Sequence, residues 1–292
     1  MSDRKLYLGA LTDNRRWDKV AIRNDDVFVV TPPKCGTTWM QTIVALLISG
    51  DPEMETELSV KMPWVDIRVR EMDEVAARLE AQTPRRSMKS HTPMDGLPWH
   101  DVAQYLCVFR HPLDAHFSYR KHVRNIPMNW FDHWYPEEDP DGVTFRRFLD
   151  GGGEGWDLDA MPLATILRHY TTARALAERP NVSLFHYSDM SRDLPGTFDR
   201  VAGLLGITYP PSVMDSLIAA ATFDHMKGQA KRYAPSGGKG FMKSDAEFFH
   251  SGTSNKWVGV LSTEELTAYD AMMEAHLSAE DRAWLEFGDG AP

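Results

Sequence analysis

Asp26-Val-Phe-Val-Val-Thr31 is a short run of β-branched and aromatic residues that Pro32-Pro33 ends, a pattern that predicts a buried strand. From Gly36 to Ser49 the apolar period changes. Trp39, Ile43, Leu46 and Leu47 recur at helical spacing, and Gly50 marks the stop. A strand that enters a helix through a turn bearing Pro and Gly opens a βα unit. Buried strands are also expected at 86–90 and 104–110, the second leading into a helix over 113–123. A long helical pattern follows at 161–178, then a strand at 182–187, then helices at 196–205, 211–222, 263–276 and 279–284. Strands alternating with helices imply an α/β fold with a central parallel sheet covered on both faces. No internal repeat is visible, and residues 1–292 are read as a single domain. Segments 125–142 and 234–254 read as long loops, the kind that serve as lids or binding loops.

Composition narrows the setting. Hydrophobic residues make up 42% of the chain, enough for a sizeable core, yet no apolar run approaches the ~18 residues of a membrane span. The opening Met-Ser-Asp-Arg-Lys-Leu lacks the apolar stretch of a signal peptide. Cys35 and Cys107 form neither a disulfide framework nor a metal-ligand spacing, so a cytoplasmic protein without a metal is expected. Lys and Arg number 32 against 42 Asp and Glu, a formal charge of −10. Such a chain is not expected to bind nucleic acid or an anionic membrane. An anionic ligand must then be met by a local cationic pocket.

The turn Thr31-Pro-Pro-Lys-Cys-Gly-Thr-Thr-Trp39 is suited to that task. Unpaired N–H groups where Gly36, Thr37 and Thr38 open the helix make an anion site, and Lys34 adds a point charge. The same residues are also compatible with a plain capped helix and a solvent-exposed lysine. The turn is not a Walker A loop, which places its lysine after the second glycine, and no carboxylate stands ready to hold magnesium.

Two further strand ends carry candidate chemistry. In Arg86-Ser-Met-Lys-Ser-His-Thr-Pro93, alternation puts Lys89 and His91 on one face, and histidine can take a hydroxyl proton near neutral pH. In the segment from Tyr105 to Ser118, Arg110 at the strand end and Ser118 on the helix could reach one anion. The structural alternatives are a core histidine and an Arg110–Asp114 ion pair.

Taken together these segments resemble the cytosolic-type sulfotransferases that use 3′-phosphoadenosine 5′-phosphosulfate (PAPS). The first turn is similar to that family's Tyr-Pro-Lys-Ser-Gly-Thr-Thr-Trp loop, with Cys35 in place of serine and Pro32 in place of tyrosine. The resemblance runs from Thr31 to Trp257 and implies a P-loop-like three-layer fold. It implies transfer of a sulfuryl group from PAPS to a hydroxyl of a small, lipophilic acceptor, releasing PAP. Lys34, Cys35, Gly36, Thr37 and Thr38 would cradle the 5′-phosphosulfate, with Trp39 stacked on adenine. His91 would be the base, helped by Lys34 and Lys89 at the transferring group. Arg110 and Ser118 would grip the 3′-phosphate. Tyr187, in Leu184-Phe-His-Tyr-Ser-Asp-Met190, and Thr222 and Phe223, in Ala221-Thr-Phe-Asp-His-Met226, would enclose the base.

The pattern breaks at His250-Ser-Gly-Thr-Ser-Asn-Lys-Trp257. Gly252 and Trp257 match, but His250 and Ser251 stand where the family carries Arg and Lys beside the 3′-phosphate. Each lost charge-assisted hydrogen bond is worth about 1.5–3 kcal/mol. A nest of backbone N–H groups with Ser251, Gly252 and Thr253 could compensate, or Lys239, Lys243 or Lys256 could restore charge, or the donor site is weakened. Trp64, Trp130, Phe131, Trp134 and Tyr135 could line an acceptor pocket or be scattered core and loop aromatics. The family's dimerisation pattern is not evident after Trp257, which leaves the oligomeric state undecided. Two other functions stay open: a P-loop phosphotransferase, and a nucleotide-binding or interaction protein derived from a sulfotransferase.

Overall fold

The computed structural model describes residues 4–83, 85–127, 132–136, 138–139, 142–151, 157–235, 242–249 and 252–290. Four strands form its sheet: β1 (Val27–Val30), β2 (Ser87–Ser90), β3 (Gln104–Phe109) and β4 (Val182–His186). Their order is β2-β1-β3-β4, and every pairing is parallel. Val30 pairs with Ser90 on one side and Cys107 on the other, so the strand ends are nearly flush.

Alternation along the strands sorts their side chains into two cores, which makes the fold three-layered. Val27 and Val29 join Leu106 and Val108 under α1 (Thr37–Ser49), whose Met40, Ile43 and Leu47 point the same way. Phe28, Val30, Tyr105 and Phe109 face the opposite layer, where Ile166 and Tyr170 of the helix Leu163–Arg174 pack on them. Helix α2 (Pro112–Arg124) begins with Pro at its first turn, where the missing N–H costs nothing. At the amino ends of β1 and β2, Arg86 reaches Asp26 through two hydrogen bonds of 2.8 and 2.6 Å, with both side chains buried.

Some boundaries differ from the periodic reading. The long helix starts at Leu163 rather than residue 161, because Met161 takes a left-handed φ of 53° and Pro162 serves as the cap. The helix Met72–Glu80 was not anticipated: it buries only Val75 and Leu79, too thin an apolar stripe to stand out. The helix Val143–Asp150 also went unread, being a short element held between two left-handed glycines, Gly142 and Gly151. Segment 234–254 contains the helical turn Asp245–Phe248.

Candidate active site

The turns that follow β1, β2, β3 and β4 all open on the carboxyl edge of the sheet, where an open α/β sheet binds ligands. After β1 the chain bends through Lys34 and Gly36, with φ values of 64° and 110°. A Cβ at residue 36 would lie 3.2 Å from Tyr187 Cδ2 and 3.3 Å from Val108 Cγ1, so glycine lets the turn pass beneath Tyr187. For Lys34 the left-handed backbone costs about 1–2 kcal/mol. Helix α1 has neither a side-chain cap nor an acidic residue in its first turn. Its leading N–H groups are thus left for an anion. The Thr37 hydroxyl is hydrogen-bonded to that of Thr31.

His91 sits directly beyond β2 with 8% of its surface exposed. Its Nδ1–H donates to the Thr31 carbonyl at 2.8 Å. That bond fixes the tautomer and leaves the Nε2 lone pair facing Lys89 Nζ, 3.5 Å away. Burial and the neighbouring Lys89 hold His91 well below its ordinary range, so it is neutral at pH 7. Burial and the Arg110 charge push Lys34 down to about 7. Lys89 is likewise lowered to about 7, by burial and then Arg70. Trp64 packs edge-on against the His91 ring at 4.8 Å and lies 4.5 Å from Lys89 Nζ. Its indole N–H donates to buried Asp66 at 2.6 Å, and Asp66 also accepts from the Ser90 and Thr92 hydroxyls. Four donors, counting the Trp17 indole, thus brace the β2 end on one carboxylate.

After β3, Arg110 is 5% exposed and stacks 4.3 Å from the Tyr187 ring centroid. It donates to the Thr253 carbonyl at 2.9 Å, while its Nε is buried without a hydrogen-bond partner among the described residues. Asp114 does not pair with it; that carboxylate instead accepts the Lys256 backbone N–H at 3.4 Å. The Tyr187 hydroxyl donates to the Gly252 carbonyl at 3.3 Å, and the Trp39 indole donates to the Ala221 carbonyl at 2.9 Å. Gly252, with a φ of 62°, lies so close to Phe223 that a Cβ would come within 3.1 Å of the ring.

One cavity of about 330 Å³ joins these stations, with Lys34, Lys89, His91, Arg110, Ser118 and Lys256 on its walls. Gly36, Thr37, Thr38, Trp39, Tyr187 and Phe223 complete the cationic and aromatic end. Leu11, Ile126, Met242 and Phe248 line its apolar part. Cys35 and Thr222 stand elsewhere. The Cys35 thiol is fully buried in the core, and burial pushes it up to about 12. Thr222 is exposed, and its hydroxyl donates to the Ala219 carbonyl. Of the acceptor aromatics, Trp64 lines the cavity. Tyr135 is core, its hydroxyl on the Ala160 carbonyl, and Trp134 packs on that core. Lys243 is exposed. Trp130, Phe131, Lys239, His250 and Ser251 lie outside the described residues.

Comparison with known proteins then decides the family. A family model described as a sulfotransferase domain matches residues 24–281. A glycolipid sulfotransferase of Mycobacterium bovis is 32% identical, over 99% of this chain and 96% of its own length. Human sulfotransferase 2A1 is 22% identical over 89% of this chain and 87% of its own. The chain belongs to the sulfotransferase family. Its fold is shared by retinol dehydratase solved with androsterone and PAP, at a TM-score of 0.71, 20% identity and coverage of 91% and 86%. A mouse sulfotransferase complexed with PAP aligns at 0.69 and 18% identity, covering 91% of this chain and 88% of that one.

This sulfotransferase transfers a sulfuryl group, with PAPS as the donor. Its residues fit that donor. The orphan Arg110 Nε needs an acceptor, the uncapped α1 terminus needs an anion, and Gly36 leaves the backbone open to a close approach. The sequence alone does not point to His122, which lines the cavity, or to Asp66, which braces the β2 end behind it. His122 is one α2 turn beyond Ser118, and that i,i+4 relation was the available signal. Asp66 carried no such signal, because its partners come from segments far apart in sequence.

Proposed function

We propose that His91 is the general base of this sulfotransferase and that its acceptor is a lipophilic alcohol. The observation that carries the first part is the Nε2 of His91, uncharged and turned toward Lys89 inside the cavity. An acceptor hydroxyl placed there gives its proton to Nε2 as its oxygen bonds to sulfur, and the bond from sulfur to the 5′-phosphate oxygen breaks. Lys34 and Lys89 offset the charge that gathers on the leaving oxygen and the transferring group. Arg110 and Ser118 hold the 3′-phosphate. Lys256 supports them, supplying the charge absent at residues 250 and 251: it is half-buried in the same wall, lowered by burial and then by Arg110. A lipophilic acceptor agrees with the apolar end of the cavity and with the name of the mycobacterial relative. A cytoplasmic setting belongs to this reading, and no described helix is long and apolar enough to cross a membrane.

Titration with PAP and with AMP by calorimetry tests the donor site. PAP is expected to bind at least about tenfold more tightly, the return of one charge-assisted phosphate contact, and Lys256→Gln is expected to narrow that margin. Equal affinities would show that the 3′-phosphate is not recognised and would remove the assigned roles of Arg110, Ser118 and Lys256.

A further inference from the structure

Behind the catalytic lysine lies a second cavity, of about 260 Å³. It shares Thr38, Trp64, Lys89 and Pro235 with the first, so the two meet at the Trp64 and Lys89 side chains. Its floor is apolar, built from Leu58, Met62 and Ile67, none of them more than 4% exposed. Its charged groups are unbalanced. Arg70, Arg78 and Lys89 share its wall with one carboxylate, Glu74, which is already paired with Arg78; outside that wall Glu57 acts on Arg70 and buried Asp66 on Lys89 without pairing with either. Arg70 makes no ion pair among the described residues: its guanidinium donates only to the Pro235 carbonyl, at 3.2 Å. Its backbone is tied in place by Arg16, which donates to the Arg70 carbonyl at 2.7 Å. Tyr233, on the same wall, has a buried hydroxyl with no hydrogen-bond partner among the described residues. In a chain carrying a net charge of −10, a half-buried guanidinium with no ion pair among the described residues, beside an apolar floor, calls for a ligand.

We propose that this second cavity is an acceptor subsite, and that the acceptor is an amphiphile bearing an acidic group, whose anion Arg70 holds while its hydroxyl reaches His91. The apolar part of such a molecule lies along Trp64, Met62 and Ile67. Arg70 also repels the Lys89 ammonium. An anion bound at Arg70 offsets that repulsion, so filling the subsite favours the charged lysine. The proposal rests on the reading of the first cavity as the place where a lipophilic alcohol is sulfated.

ω-Hydroxy fatty acids of graded chain length, each compared with its methyl ester, provide the test, with sulfation followed under saturating PAPS. At the chain length that spans the two cavities, the acid is expected to exceed its ester in kcat/KM by about tenfold, the size of one charge-assisted contact, chiefly through KM. Arg70→Gln should erase that preference, read as the acid-to-ester ratio of kcat/KM so that any change at Lys89 cancels, and Arg70→Lys should restore part of it. Calorimetry with PAP on each variant checks that the donor site remains intact. Ester turnover with no gain from the acid at any length overturns the subsite and leaves the lipophilic-alcohol reading standing. A loss that falls equally on acid and ester in Arg70→Gln overturns the subsite as well. No turnover of either compound overturns the lipophilic-alcohol reading, and the subsite with it.

Discussion

His91 works through its environment rather than its identity alone. The Thr31 carbonyl takes the Nδ1 proton, and burial keeps the ring neutral, so Nε2 is available to an acceptor at any pH near 7. His91→Ala is expected to lower kcat by about 10²–10⁴, the usual worth of a positioned base. The PAP dissociation constant should change little, because no nucleotide station touches the imidazole. If calorimetry shows both activities collapsing together, His91 is a structural residue and the base lies elsewhere. At this scale the sequence was legible where spacing was short. Lys89 and His91 are two positions apart and share a face, so alternation alone brought them together. Asp66 was not legible, although it steadies Trp64, Ser90 and Thr92 around that histidine. A buried carboxylate with four donors arises from tertiary proximity, and no local period announces it.

Among the elements, β1, β3, β4 and α1 follow directly from their apolar composition, a signature that the Ser-Met-Lys-Ser of β2 does not carry. β1 is β-branched and aromatic throughout, and both of its faces are buried. Helices with a narrow apolar stripe, such as Met72–Glu80, were invisible for the converse reason. In the strap from Gly252 to Lys256 the sequence shows the altered charge and offers a backbone nest or Lys256 as compensation, but not what fixes its course. Its geometry depends on Asp114 holding the Lys256 amide, a contact 142 residues long in sequence. The sheet also has an anchor remote from catalysis. Asp26 and Arg86 tie the amino ends of β1 and β2, while every functional turn sits at the carboxyl ends. Asp26→Ala leaves a buried guanidinium without its paired carboxylate and is expected to cost about 3–5 kcal/mol of stability. Urea unfolding measures that loss, and PAP affinity of the folded fraction should be unchanged. An Asp26→Ala protein as stable as wild type would mean that Glu80, the other carboxylate on Arg86, suffices.

Over the whole molecule, the excess of acid is reversed inside one cavity. Lys34, Lys89, Arg110 and Lys256 stand together there; burial and the other three charges raise the cost of charging Lys34, and burial with Arg70 does the same to Lys89. The empty protein thus holds Lys34 and Lys89 at about 7, far below the usual lysine range. A bound polyanion lifts both back, because it pays the electrostatic cost of their charge. The sign of the linkage follows. Below about 7 both lysines are already protonated and affinity is at its greatest; as pH rises through that value the free protein loses protons that the complex keeps. PAP affinity should therefore fall between about pH 7 and about pH 9, above the range in which phosphate itself titrates. Calorimetry at about pH 8 in two buffers of different ionisation enthalpy should show net proton uptake on binding. Affinity that is flat across this window, or protons released rather than taken up, would mean that the lysines are charged before the donor arrives, and that the cavity is wetter than its packing implies.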